Sequence, residues 1–500
     1  MTIELHDLYL LSPVISMASL AVLVIVVDLM NRDKLIVSLV GLIGLLVPIS
    51  FSISLWIYSN GSNSQTIPSI YSTYVVDKFS LYFAFLIITS TFLVLLSSTN
   101  YIDNMPKFRG EYNALILFSA SGMILLSSTV ELITIYVSLE LTALPIAALA
   151  AFHRNKQSTE SGIKFLILSA ISSAILLYGM VIVYGLTGTT SLTEIASQIS
   201  NIELNSSIAF GNYALLLGIV LLIAGFGFKI AVVPFHMWAP DVYEGSPTPV
   251  TAFLSVASKA AGFAVILRIF YIGFGIESLS ADWSQIFVIL SVLSMTIGNL
   301  VAIRQDNIKR MLAYSTVAHA GYLLVGLAVV STNVTETTNT PGPTALLVYL
   351  SGYVFTNLLV FSTVIAISTD IKSYSIVSYG GVARRSPFLA ATLFFGMISL
   401  IGIPPAVGFI TKLYLFGAAV GNGLTWLAVA GVLNSVLSAY YYLRVVKFMY
   451  LSKPSNEEPI KPSLLLRLSI AVSFTSVLCF GIYPTPLINL AKTAISTLLT

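Results

Sequence analysis

Four ionisable residues stand inside long apolar runs: Glu140 in VELITIYVSLELTALPIAALA, Lys229 in FGFKIAVVPFHMW, Lys259 in AFLSVASKAAGFAVIL and Lys412 in GIPPAVGFITKLYLF. A charge at the centre of a bilayer costs roughly 2.5–3.5 kcal/mol on insertion scales, so a protein keeps one where it faces the interior and works. Three amines and one carboxylate cannot neutralise one another pairwise, so structural ion pairs do not account for the set. An amine shielded from water and short of a counter-charge gives up and takes back a proton readily, and a nearby carboxylate biases that exchange. This is relay chemistry. Sodium and calcium sites need several oxygen ligands, and lysines at the centre would repel a metal cation, so protons are the expected ion.

Two further charges have simpler explanations. Lys164 opens its apolar run and can snorkel to the interface, with Glu160 one turn earlier as a partner. Arg268, near the far end of its run, is read as an interfacial anchor. Thr296, Asn299, Tyr314, Ser315, Tyr353, Asn357 and Asn434 are suited to interhelical hydrogen bonds or to guiding water. His319, in RMLAYSTVAHAGYLL, is the strongest of these polar positions because imidazole titrates near neutrality. His236 is expected to orient the chain after Lys229, and His6 and His153 to lie in loops. Four scattered histidines and the single Cys479 offer no metal-ligand cluster and no cysteine-built iron–sulfur site.

Such residues need a scaffold that crosses a membrane. The 500 residues are 57% hydrophobic and 9% charged, with a mean hydropathy of +0.93. Apolar runs of about 18 residues or more recur throughout without strand-like alternation, which points to an all-α integral membrane protein of about fourteen transmembrane helices. The stretch 113–151 is long enough for two helices with Ser127–Glu131 as the turn, and 464–490 reads as one final span. Pro234 interrupts the helix carrying Lys229; Gly402, Pro404, Pro405 and Gly408 interrupt the one carrying Lys412. Broken helices at membrane depth must be packed in protein or line a hydrated cavity. Two of them, separated by an odd number of spans, suggest two inverted five-helix repeats. The expected units are 1–111 (three helices), 112–274 (first repeat), 284–450 (second repeat) and 451–500 (last helix).

Orientation follows the basic residues. Alternate loops carry Arg32, Lys107, Arg154, Arg310 and Arg385, while the intervening stretches 58–76, 191–207 and 331–344 have no Lys or Arg. The basic loops are therefore expected in the cytoplasm of a bacterium, with both termini on the outer side of its plasma membrane. One basic-side loop dissents: after Pro234 it carries Asp241 and Glu244 but no cation. The N-terminus MTIELHD is acidic where a cleavable signal would be basic. A net charge of +3, dispersed, gives no reason to expect nucleic acid.

The stretches GFGFKIAVVPFHMWAPDVYEGSPTPVTAFLSVASKAAGFAVILRIF, RMLAYSTVAHAGYLL and GIPPAVGFITKLYLF together resemble the antiporter-like subunits of respiratory complex I, in the form of its N-subunit family. The form YEGSPTPVTAFLSVASKAAG, and Lys412 where the M-type relatives have glutamate, separate this family from its L and M relatives. No long lateral helix of the L type follows the last span. The resemblance implies that Glu140 is the key carboxylate, Lys229 the broken-helix lysine, Lys259 the connecting lysine and Lys412 the lysine of the far half-channel. It also matches Lys164 to a family lysine. It further implies proton translocation coupled to quinone reduction elsewhere in a complex, with NAD, FMN, iron–sulfur clusters and quinone in partner subunits and no cofactor in this chain. Expected partners are K-, M-, J- and A-type membrane subunits and lipids. A cation/proton antiporter subunit is the alternative reading.

Overall fold

The computed structural model describes residues 5–30, 34–61, 67–69, 73–99, 101, 108–204, 209–329, 341–454 and 456–498. Arg32, Lys107 and most of the 331–344 loop, used above for orientation, lie outside these residues. In chain order the elements are α1 (Leu5–Leu10), α2 (Ser12–Met30), α3 (Lys34–Gly44), α4 (Leu46–Gly61), the antiparallel strands β1 (Ile67–Ser69) and β2 (Tyr74–Val76), α5 (Lys78–Ser98), α6 (Arg109–Ser128), α7 (Leu132–Ala150) and α8 (Lys156–Thr187). There follow α9 (Leu192–Leu204), α10 (Ala209–Lys229), α11 (Trp238–Gly245), α12 (Thr248–Phe253), α13 (Lys259–Arg268), α14 (Glu277–Ile303), α15 (Ile308–Ala328) and α16 (Gly342–Ile371). The chain ends with α17 (Val382–Arg385), α18 (Pro387–Ile401), α19 (Val407–Gly421), α20 (Thr425–Leu451), α21 (Leu464–Ile482) and α22 (Thr485–Leu498).

Eleven helices among the described residues are long and apolar enough to cross a bilayer, and three shorter apolar ones, Tyr213–Lys229, Pro387–Ile401 and Val407–Gly421, accompany them. Helix is the form in which a segment satisfies its own backbone groups without water, so apolar runs of this length have little alternative. Polar caps mark several starts: Asp77 accepts from Ser80 N, Glu131 from Thr134 N and Asn155 from Ser158 N. The 113–151 stretch is two helices, parted at Thr129–Glu131 as its length required. The layering follows burial: nearly all residues in the most apolar stretches of Thr248–Gly273, Ile308–Ala328 and Gly342–Ile371 are buried, whereas only a minority are in those of Ser12–Met30 and Leu464–Ile482, which form the rim.

Three local expectations are corrected. The 464–490 stretch is two helices, because Pro484 withdraws an amide donor and Tyr483 before it leaves helical geometry, while Pro486 is tolerated in the first turn of α22. The acidic 191–207 loop contains helix α9, and His6 lies in α1, against Tyr58. Both helix breaks fall where Gly and Pro put them, at 230–237 and 402–406, and each contains a cis prolyl bond, Val233–Pro234 and Pro404–Pro405. Lys229 ends the helix before its break, whereas Lys412 lies in the helix after its own.

Candidate functional site

Glu140 projects from α7 toward α8, and its Oε1 accepts a hydrogen bond from Ser173 Oγ at 2.5 Å. Lys229, the last residue of α10, donates from Nζ to Ser169 Oγ at 3.0 Å. The acid and the amine, both partly buried, make no ion pair within 4.0 Å; the two serines of α8 stand between them. The break after Lys229 is held by its neighbours: Trp238 Nε1 donates to Phe228 O at 2.9 Å, and Val233 N donates to Ser294 Oγ at 3.0 Å. Ala231 there has φ +56°, a left-handed conformation that costs energy for any residue but glycine. Freed backbone groups thus find partners inside the protein, as membrane depth requires.

A small, mostly apolar cavity lies beside Lys229, where Leu139, Ile146, Phe165 and Phe228 line it together with Thr142 and Ser258. Lys259 starts α13, directly after a π-helical turn over Leu254–Ser258. Such turns displace the side chains that follow and recur at functional sites. One turn from Lys259, a Cβ on Gly262 would lie 2.8 Å from Ile230 Cγ2, so glycine lets the broken segment press against this helix. The buried Lys259 ammonium donates to the carbonyl of Thr316 and faces the Tyr353 ring at 5.9 Å.

Thr316, His319 and Tyr322 recur every third residue of α15 and so share one face. Tyr353 OH donates to Thr316 Oγ1 at 3.3 Å. His319 has a phenol on each ring nitrogen, Tyr349 OH 2.7 Å from Nδ1 and Tyr442 OH 3.3 Å from Nε2. Tyr322 presents its ring to the Lys412 ammonium at 4.7 Å, and its hydroxyl lies 3.5 Å from Ser435 Oγ. Lys412 Nζ donates to Ser435 Oγ at 2.7 Å and to the carbonyls of Leu400 and Ile401 at 3.0 and 2.8 Å. Those carbonyls are end groups of α18 that no further turn of helix satisfies, and they carry the negative end of its dipole. One face of α15 therefore runs from Lys259 to Lys412.

The structure thus sets Glu140 and Lys229 against α8 and gathers Lys259, His319 and Lys412 along one face of α15, with no hydrogen bond between the two groups among the described residues, and it leaves Lys164 apart from both. Lys164 is 41% exposed and pairs with Glu160 at 2.8 Å and Asp241 at 2.9 Å. That second contact resolves the dissenting loop. Asp241 and Glu244 take their cations from elsewhere, Arg310 Nη1 reaching them at 2.9 and 2.7 Å. Burial by itself pushes the Asp241 carboxyl up, but the Lys164 and Arg310 hydrogen bonds and charges prevail and hold it below the usual carboxylate range. Buried Lys309 donates to the carbonyls of Glu244 at 2.9 Å and Ser246 at 2.6 Å.

Arg268 is no anchor. It is 1% exposed and reaches Asp77, equally buried, at 2.7 Å, while its Nε donates to Ser127 O. The neutral candidates mostly tie helices together: Asn299 Nδ2 donates to Asn434 O at 3.1 Å, Tyr441 OH to Asn299 Oδ1 at 2.9 Å, and Asn434 Nδ2 to Thr296 Oγ1 at 3.3 Å. His236 is buried and packs its ring edge-on to Tyr314. Sequence reasoning missed Ser169, Ser173, Tyr322, Tyr349, Tyr442 and Ser435, all of which touch a line residue. Tyr322 follows His319 by one turn of α15, a spacing that could have flagged it, whereas Tyr349, Tyr442 and Ser435 come from α16 and α20 and the α8 serines serve groups on α7 and α10, so no local pattern singles them out.

A match to the family described as NADH:quinone oxidoreductase/Mrp antiporter, TM, spans residues 129–438. The chain is similar to NADH-quinone oxidoreductase subunit N of Heliobacterium modesticaldum, 39% identical over 96% of this chain and 97% of the relative. It is 44% identical to the protein of the same name from Moorella thermoacetica over 85% of this chain and 86% of the relative. Among solved structures it resembles a chain of respiratory complex I from Thermus thermophilus with bound aureothin, at a TM-score of 0.77 and 29% identity, covering 95% of this chain and 98% of that one.

Proposed function

The chain belongs to the NADH:quinone oxidoreductase/Mrp antiporter transmembrane family and is a proton-translocating membrane subunit, and on that premise we propose that its protons travel along Glu140, Lys229, Lys259, His319 and Lys412. The supporting observation is the α15 face, where Thr316 meets Lys259, His319 follows one turn on, and Tyr322 meets Lys412. The proton-exchanging groups of the line are the Glu140 carboxyl, the three lysine amines and the His319 imidazole; α15 meets Lys259 through the Thr316 carbonyl and Lys412 through the Tyr322 ring, so these two contacts position the amines. Glu140 and Lys229 act as the switch: closing to about 4 Å at an effective dielectric near 20 stabilises the ammonium by about 4 kcal/mol, enough to govern whether Lys229 holds its proton. Lys164, paired at one end of the molecule, serves as an accessory to this line through Asp241.

The assembly is a complex I-type oxidoreductase whose electron donor, FMN, iron–sulfur clusters and quinone are held by partner subunits, with K-, M-, J- and A-type chains and lipids as neighbours. The proposed location is the bacterial plasma membrane with both termini outside. The repeats are proposed at 112–274 and 284–450, after the helices of 1–111 and before those of 451–500. Replacing Lys229 by alanine tests the assignment. In the assembled complex in proteoliposomes, Lys229→Ala is expected to abolish proton translocation through this subunit; translocation at the unmodified rate would refute it.

A further inference from the structure

Resting on that reading, we infer that Ser169 and Ser173 of α8 are positioning residues of the Glu140–Lys229 switch, holding acid and amine apart in one of its states. The two serines are four residues apart, one helical turn, and both are buried. Their hydrogen bonds have opposite polarity. Ser173 donates to the carboxylate at 2.5 Å, and Ser169 accepts from the ammonium at 3.0 Å. A hydroxyl can do either, so each serine suits the charge it meets.

Their neighbour Ser172 provides the contrast. Its hydroxyl donates to Gly225 O at 3.0 Å, an ordinary tie between α8 and the backbone of α10. Elsewhere the serines and threonines of these helices commonly return their hydroxyls to the preceding turn, as Ser90, Thr91 and Ser98 do. Ser169 and Ser173 instead direct theirs at ionisable groups on two other helices, α7 and α10. Because α8 is one rigid element, a turn of it sets the separation of Glu140 and Lys229.

The arrangement is reversible without leaving a buried polar group unmet. When Glu140 and Lys229 close on each other, the two hydroxyls can turn to the carbonyls four residues earlier on α8, a bond that serine readily makes inside a helix. The serines thus support the open state and release the charges to the closed one. No proton needs to pass through them.

The test uses the assembled complex in proteoliposomes, with quinone reduction and proton translocation measured together. Ser169→Ala and Ser173→Ala each remove a hydrogen bond to a charged group, an effect of roughly tenfold or more on the switch equilibrium. Each is expected to slow translocation about tenfold, the double variant is expected to slow it by less than the product of the two, and Ser173→Thr is expected to restore it. Wild-type translocation by the double variant, with Lys229→Ala blocked, overturns this inference alone. Equal impairment of Ser173→Ala and Ser173→Thr also overturns it, since packing rather than the hydroxyl would then matter. Normal translocation by Lys229→Ala removes the underlying relay instead.

Discussion

Asp77→Asn isolates the energetics of the buried Arg268 ion pair. At 2.7 Å the attraction is about 6 kcal/mol for an effective dielectric near 20. Taking two charged groups out of the surroundings costs several kcal/mol each, so the intact pair contributes little net stability. Its loss is another matter. With both side chains 1% exposed, removing the carboxylate strands a guanidinium that cannot neutralise itself, at a cost of about 3–5 kcal/mol. Asparagine preserves the cap of α5, where Asp77 Oδ1 accepts from Ser80 N at 2.7 Å, because Asn and Asp cap equally well. It also leaves an oxygen for Arg268, which places the expected loss near about 3 kcal/mol. The double variant Asp77→Asn/Arg268→Met is expected to recover most of that. The assay is thermal survival of the assembled complex in detergent, followed by native electrophoresis. If Asp77→Asn survives heating as the unmodified complex does, or if the double variant is the weaker of the two, the reasoning fails.

Two further predictions concern the periphery and the second break. His153, in the turn between α7 and α8 with Tyr101 OH 3.0 Å from its Nε2, is held down to about 4 by burial and then by the Lys309 charge. The unfolded side chain binds its proton at about 6.5, so the associated stability is fully present above that pH and is lost as pH falls through about 4; melting from pH 7 to 4 should show this slope, and His153→Gln should flatten it. Gly408→Ala would drive a methyl group into the backbone carbonyl of Ser399, so α18 and α19 could no longer meet, and loss of assembly on native gels is expected; Gly417→Ala, on the same helix but with open space around it, should assemble normally.

What the sequence disclosed depended on how far apart the cooperating residues lie along the chain. Lys229, Lys259 and Lys412 were legible one at a time, because an ammonium amid apolar residues violates a strong local rule, and the breaks were legible because Pro234 and Gly402–Pro404–Pro405 violate another. Arg268 was misread because its partner Asp77 is 191 residues away along the chain. The acidic Asp241–Glu244 loop looked anomalous for the same reason, its cations arriving from α8 and α15. Tyr322, Tyr349 and Tyr442 gain their meaning from encircling His319, and no spacing in one helix discloses a ring assembled from three.

Lys412 joins two half-helices through a single nitrogen with three acceptors around it: Leu400 O, Ile401 O and Ser435 Oγ. An ammonium has three hydrogens to offer and matches that number; the neutral amine has two. In the proposed relay the neutral amine keeps its two hydrogens on the two carbonyls and takes the Ser435 hydroxyl hydrogen on its lone pair, so the Ser435 bond reverses direction as the proton leaves and returns. On that reading the meeting of α18 and α19 senses the charge of Lys412 through one hydroxyl, whose hydrogen bond turns round while both carbonyl tethers hold.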